Sequence, residues 1–221
     1  MQRLRAFMVL RQRSFPRLTS LLALALICQI ASATAQSPPT AVFSVQEDWE
    51  LVVGDPDPVS NAPQVTCVIS PVGNVDSLHA AFELNHQTEP AYEAGGLQLQ
   101  VWEGEQHLNT KWFPEHNQLG TDDEVVQWTQ QLVLVGGELT FEVTAGESTT
   151  WGSFGGKLRT TVGSTLANLD EYDPEVSVAN SGVGFAGNRV VSLVLKRVRW
   201  YAADGALLTE DATPRVVHQH Q

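Results

Sequence analysis

Apolar and polar residues alternate along most of this chain with the period of two that marks a half-buried strand. In GGLQLQVWEG (95–104), Leu97, Leu99 and Val101 fall on one face and Gln98, Gln100 and Trp102 on the other. The same alternation, or a β-branched run, predicts strands at AVFSVQEDWELVV (41–53), QVTCVIS (64–70), HAAFELNH (79–86), QHLNTKWF (106–113) and KLRTTVG (157–163). VVQWTQQLVLV (125–135) and ELTFEVTA (138–145) flank Gly136-Gly137, and two glycines supply the positive φ of a tight turn, so this stretch reads as a hairpin. RVVSLVLKRVRWYA (189–202) is apolar on both faces at its start, the pattern of a central strand covered on two sides, and Asp204-Gly205 turns it back into ALLTE. No window has sustained helical spacing with caps. A short turn at STLANLDEYD (164–173) is the one helical candidate, and the end of the chain, with His218 and His220, reads as a frayed tail.

Eight to twelve short strands separated by turn signals point to an all-β, antiparallel β-sandwich or jelly roll. No internal repeat of 20–50 residues occurs, which argues against a propeller or solenoid. The first 35 residues stand apart. Five arginines and no acid precede the apolar run LLALALICQIA (21–31) and Ala33-Thr34-Ala35, the three parts of a secretory signal peptide. That run falls short of the roughly 20 residues a membrane span needs. Cleavage after Ala35 leaves QSPPTA (36–41) as a short tether before a single β-sandwich domain over 42–221, in a protein secreted or held in the periplasm or another extracytoplasmic space.

Removal of residues 1–35 sharpens the charge. Eight Lys and Arg then face 25 Asp and Glu, a formal charge of −17 over 186 residues. Such a chain lacks the basic footprint that nucleic acid demands, and it has no attraction to anionic lipid. Cys67 is the sole cysteine left, between Val65 and Ile69 on one face, and reads as a buried thiol packing as a small hydrophobe.

FELN (82–85) followed by GGLQLQVW (95–102), and GVGFAGNRVVSLVLKRVRWY (182–201), resemble the concanavalin A-like lectin/glucanase superfamily over most of residues 42–208. The later segment is similar to the glycine-led penultimate strand and the closing strand of laminin-G-like and glycan-hydrolase-like members. The resemblance implies a jelly roll of concanavalin A-like type and a carbohydrate partner, a poly- or oligosaccharide.

Catalytic chemistry finds less support. Glu138-Leu139-Thr140-Phe141-Glu142 comes nearest to the strand-borne carboxylates of laminarinase-type members, but Thr140 stands where their pattern has an aspartate. Glu83-Leu84-Asn85 with Gln98 and Gln100 is similar in order to alginate-lyase-like jelly rolls, with Asn85 in place of the arginine. The six histidines form no spacing that fixes a metal, and no P-loop, GxGxxG, GxSxG or CxxC occurs. Acidic loops at Asp55/Asp57, Asp122-Asp123-Glu124 and Asp170/Glu171/Asp173 are candidates for calcium, which the jelly-roll resemblance favours.

The balance falls on a lectin-like protein that binds carbohydrate non-covalently on its concave sheet. Glu83, Asn85, Gln98, Gln100 and Trp102 form the candidate ligand face, because amides and a carboxylate hydrogen-bond sugar hydroxyls and an indole offers area to a sugar ring. Two alternatives remain: a glycoside hydrolase with an unrecognised carboxylate pair, and a structural cell-surface protein without a small ligand.

Overall fold

A computed structural model describes residues 41–54, 63–85, 96–113, 123–185 and 187–220. The expected signal peptide, most of the tether, and Asp55, Asp57 and Asp122 lie outside those residues. Strands β1 (Ser44–Val53), β6 (Val125–Val135), β7 (Glu138–Ser148), β8 (Gly152–Ser153), β9 (Leu158–Gly163), β11 (Val190–Tyr201), β12 (Leu207–Asp211) and β13 (Arg215–Gln219) form one sheet. Its order is β12-β11-β1-β6-β7-β8, with β13 also on β11 and β9 also on β7. A second sheet has the order β10-β2-β3-β4-β5, from β2 (Gln64–Ile69), β3 (Leu78–Leu84), β4 (Leu97–Glu103), β5 (Gln106–Trp112) and β10 (Gly182–Phe185). Every pairing is antiparallel, and the fold is an all-β sandwich.

The alternation explains the layers. Val45, Trp49, Leu51 and Val53 of β1 are buried, as are Ala80, Phe82 and Leu84 of β3 and Leu97, Leu99 and Val101 of β4. Burying each large apolar side chain contributes about 1.5–3 kcal/mol. An aromatic column links the sheets: Trp49 stacks on Trp128 at 6.1 Å, Trp128 meets Phe82 edge-on at 5.7 Å, and Phe82 lies 6.2 Å from Phe154. Phe154 fits because Gly146, beside Trp128 on the facing strand, has no side chain; a Cβ there would stand 2.1 Å from the Phe154 ring. At the hairpin, Gly136 and Gly137 have φ of 61° and 80°, the conformation their turn requires.

Both open sides of the sandwich are closed. Asn109 of β5 donates to Thr160 of β9 at 2.7 Å. On the opposite side lies helix α1 (Pro174–Asn180), followed by Ser181, whose hydroxyl accepts from the Val68 amide of β2 at 2.9 Å. Glu175 of α1 also pairs with Arg215 of β13 at 2.6 Å.

Three expectations are corrected. The helix lies after 164–173: Asp173 caps it by accepting from Glu175 N, and Pro174 takes the first turn, where its missing N–H costs nothing. Seven residues are too few for a helical period to emerge. The C-terminal segment is strand β13, not a tail, since Val194 pairs with Val216 and Leu193 with His218 along β11. The start of β11 is covered on one side only, with Val191 44% exposed.

Candidate functional site

The register of β3, β4 and β5 places the outward residues of the five-stranded sheet in rows. Glu83 pairs with Gln98 and Gln98 with Trp112, and His79 pairs with Trp102 and Trp102 with His107. Glu83, Gln98, Gln100 and Trp102 thus share one face, as their spacing predicts. Gln98 is fully buried there, with its amide donating to Glu83 Oε2. Gln100 accepts from the Trp102 indole at 3.1 Å, and the Trp102 ring meets His107 at 5.0 Å. Asn85 leaves the face altogether. It follows the last residue of β3 with φ of 56°, is fully buried, and donates to Pro63 O at 2.7 Å. Left-handed backbone, which asparagine tolerates better than most residues, turns its side chain off the strand's alternation. Trp112, which the alternation did not single out, is 52% exposed on this face.

Two open cavities, of about 830 and 540 Å³, lie instead on the outer face of the eight-stranded sheet. The smaller sits over Ser44 and Gln46, the larger over Asp48 and Glu50, so they follow one another along β1. Strand geometry spaces Ser44 and Glu50 about 20 Å apart. The floor is a ladder in which β1 accepts and its neighbours donate. Gln131 donates to Ser44 at 2.8 Å and Tyr201 to Gln46 at 3.1 Å. Asp48 accepts from Thr129 at 2.7 Å, from Arg197 Nε at 2.8 Å and from Arg199 Nη2 at 2.7 Å. Glu50 accepts from Gln127 at 2.8 Å and Lys196 at 3.1 Å. The Asp48 carboxylate also holds the Arg197 guanidinium more firmly protonated than usual. Trp49 and Trp128 turn into the core, so the trough has a polar, hydrogen-bonding floor held by cross-strand contacts.

Beneath that floor, Glu47 faces the core and is fully buried. Its Oε1 accepts from Tyr172 and Ser177, each at 2.5 Å, and its Oε2 from Trp49 at 2.8 Å and Gln130 at 2.5 Å. Burial raises its pKa above the ordinary glutamate value, against the pull of those four donors. Cys67 is buried and free, and burial, reinforced by the Glu47 carboxylate, pushes its thiol well above its ordinary value.

The remaining candidates are dispersed. Thr140, between the two glutamates of 138–142, bonds Thr161 at 2.9 Å, and Glu142 faces Arg159 at 3.8 Å. Asp170 accepts from Val42 N, and Glu124 from the amide and hydroxyl of Thr150. Among the described residues no group of three or more His, Cys, Asp or Glu stands close enough to hold a metal ion, and no helix is long and apolar enough to cross a membrane.

Two parts of this arrangement have a signal in the sequence beyond the alternation. Glu47 occupies a core-facing position between Val45 and Trp49, and Lys196, Arg197 and Arg199 cluster in a chain poor in cations. Comparison with known proteins adds no relative, since no family model, curated protein or solved structure matches the chain.

Proposed function

We propose that this protein binds carbohydrate non-covalently, in the manner of a lectin, along the trough on the outer face of its eight-stranded sheet. On this reading the sandwich is a jelly roll of concanavalin A-like type, exported by its signal peptide and working outside the cytoplasm. The observation that carries the proposal is the polar ladder from Ser44 to Glu50, with amide, hydroxyl, carboxylate and guanidinium groups held in place under two successive open cavities of about 540 and 830 Å³. Pre-positioned donors and acceptors suit sugar hydroxyls, because little side-chain entropy is lost on binding.

A second reading puts the sugar on the five-stranded sheet, and the exposure of Trp112 beside Gln98 favours it. A glycan array probed with and without calcium, using wild type, Gln127→Ala/Glu147→Ala and Trp112→Ala, separates the two. Gln127 and Glu147 are exposed cross-strand partners at the trough, so their removal leaves the fold intact. The expected result is glycan binding that weakens at least tenfold in the double variant and persists in Trp112→Ala. The reverse pattern moves the site to the other sheet, and a wild type that binds no glycan overturns the proposal.

A further inference from the structure

The two cavities of the trough differ in character. In the larger one, Asp48, Glu50 and Glu147 balance Lys196, Arg197 and Arg199, whereas among the described residues no charged side chain lines the smaller. The smaller end of the trough therefore selects by hydrogen-bond pattern and shape, not by charge.

Gln46 of β1 and Gln131 of β6 are direct cross-strand partners in the floor of this smaller cavity. A hydroxyl ties each amide at one end. Gln46 Oε1 accepts from Tyr201 at 3.1 Å, and Gln131 Nε2 donates to Ser44 Oγ at 2.8 Å. Opposite ends of the two amides are thus engaged. The Gln46 N–H donors and the Gln131 carbonyl stay open to the cavity, side by side, in orientations that the two hydroxyls fix. Val133 and Tyr201 flank Ser44 on its two neighbouring strands, and Val135 and Ala203 extend an apolar wall around the same space.

We infer that the smaller cavity seats the acetamido group of an N-acetylated hexosamine, one sugar of an uncharged glycan lying along the trough. This inference rests on the carbohydrate reading and narrows it. The acetamido carbonyl accepts from Gln46, its N–H donates to Gln131, and its methyl rests on the apolar wall. A plain hydroxyl can also meet both glutamines, but it leaves that wall unfilled. A carboxylate would put an acceptor against the Gln131 carbonyl with no cation in the cavity to offset it. Specificity arises because a sugar lacking the acetamido group leaves positioned polar groups without their partner.

The test is titration calorimetry of the full exported chain with two oligosaccharides of equal length and linkage, one of N-acetylglucosamine and one of glucose. The expected preference for the N-acetylated chain is about tenfold or more, the scale of a second well-placed hydrogen bond plus a buried methyl group. Two variants change charge alike and pattern oppositely. Gln131→Glu keeps an acceptor facing the acetamido N–H and retains the preference. Gln46→Glu turns the donor into an acceptor and loses it. Both glutamines are half-buried on the outer face, and glutamate can still bond the tethering hydroxyl, so both variants fold. Equal binding of the two oligosaccharides by wild type overturns the inference while the carbohydrate reading stands, and so does a preference that the two variants change alike or not at all. Binding of neither oligosaccharide, with other glycans still bound on the array, likewise overturns the inference alone. A wild type that binds no glycan overturns both.

Discussion

Ser177 of helix α1 donates its hydroxyl to Glu47 of β1 at 2.5 Å, across 130 positions of sequence. Tyr172, just before the helix, donates to the same oxygen, while Gln130 and Trp49 hold the other. The carboxylate thereby ties the helix and its approach to the centre of the eight-stranded sheet. Glu47→Ala would leave four buried donors unsatisfied at about 1–3 kcal/mol each, so a loss of about 3 kcal/mol or more is expected in urea unfolding. Glu47→Gln keeps one acceptor oxygen and costs less. A Glu47→Ala variant as stable as wild type would show that the network does not hold the helix.

The pH dependence carries two opposed contributions. Burial holds the Glu47 carboxyl above its ordinary value of 4.5, so above that value the native state retains a proton that the unfolded chain releases. The stabilisation from this group is full below pH 4.5 and is lost as pH rises through the raised folded value. Asp211 behaves in the opposite sense. Its hydrogen bond from Arg215 holds it at about 2, below its ordinary 3.8, so its contribution is present above pH 3.8 and lost as pH falls toward 2. Stability measured from pH 2 to 7 should show the advantage of wild type over Glu47→Gln shrinking as pH rises, and its advantage over Asp211→Asn growing between pH 2 and 4.

Gly146 leaves the space that the Phe154 ring fills. Gly146→Ala should cost about 1–3 kcal/mol through overpacking. Combining it with Phe154→Leu should cost less than the sum of the two single changes in thermal denaturation, because the smaller side chain relieves the clash. Simple additivity would place the strain elsewhere.

Truncation after Asp211 removes β13 and with it the pairing to Ser192–Leu195, the packing of Val217 against the core, and the Arg215 ion pairs with Glu175 and Asp211. The expected result is a melting temperature lower by several degrees, at about 2–4 °C per kcal/mol for a domain of this size, and a tendency to associate through the uncovered edge of β11. An unchanged melting temperature would restore the tail reading.

Cys67 has no solvent exposure and a thiol pushed well above its ordinary value. A thiol reagent at pH 8 should therefore label it only at the rate of unfolding, with labelling becoming rapid in denaturant. Fast labelling of the native protein would contradict its burial.

Alternation alone determined the β class, most strand positions and the core faces, because strand side chains alternate with a period of two whatever the strand pairs with. It placed Leu97, Leu99 and Val101 inside and Gln98, Gln100 and Trp102 outside, and it identified the Gly136-Gly137 turn, where only local backbone geometry matters. It carried no information about how outward faces assemble. Gln98 is outward yet fully buried, Asn85 leaves its face through a left-handed backbone, and β13 is a strand because β11 offers it an edge. The trough depends on β1, β6 and β11 lying side by side, a pairing that joins Asp48 to Thr129 and Arg199 over 81 and 151 positions. Only tertiary structure decided that relationship, because register between distant strands is set by the packing of the whole core and by no local pattern.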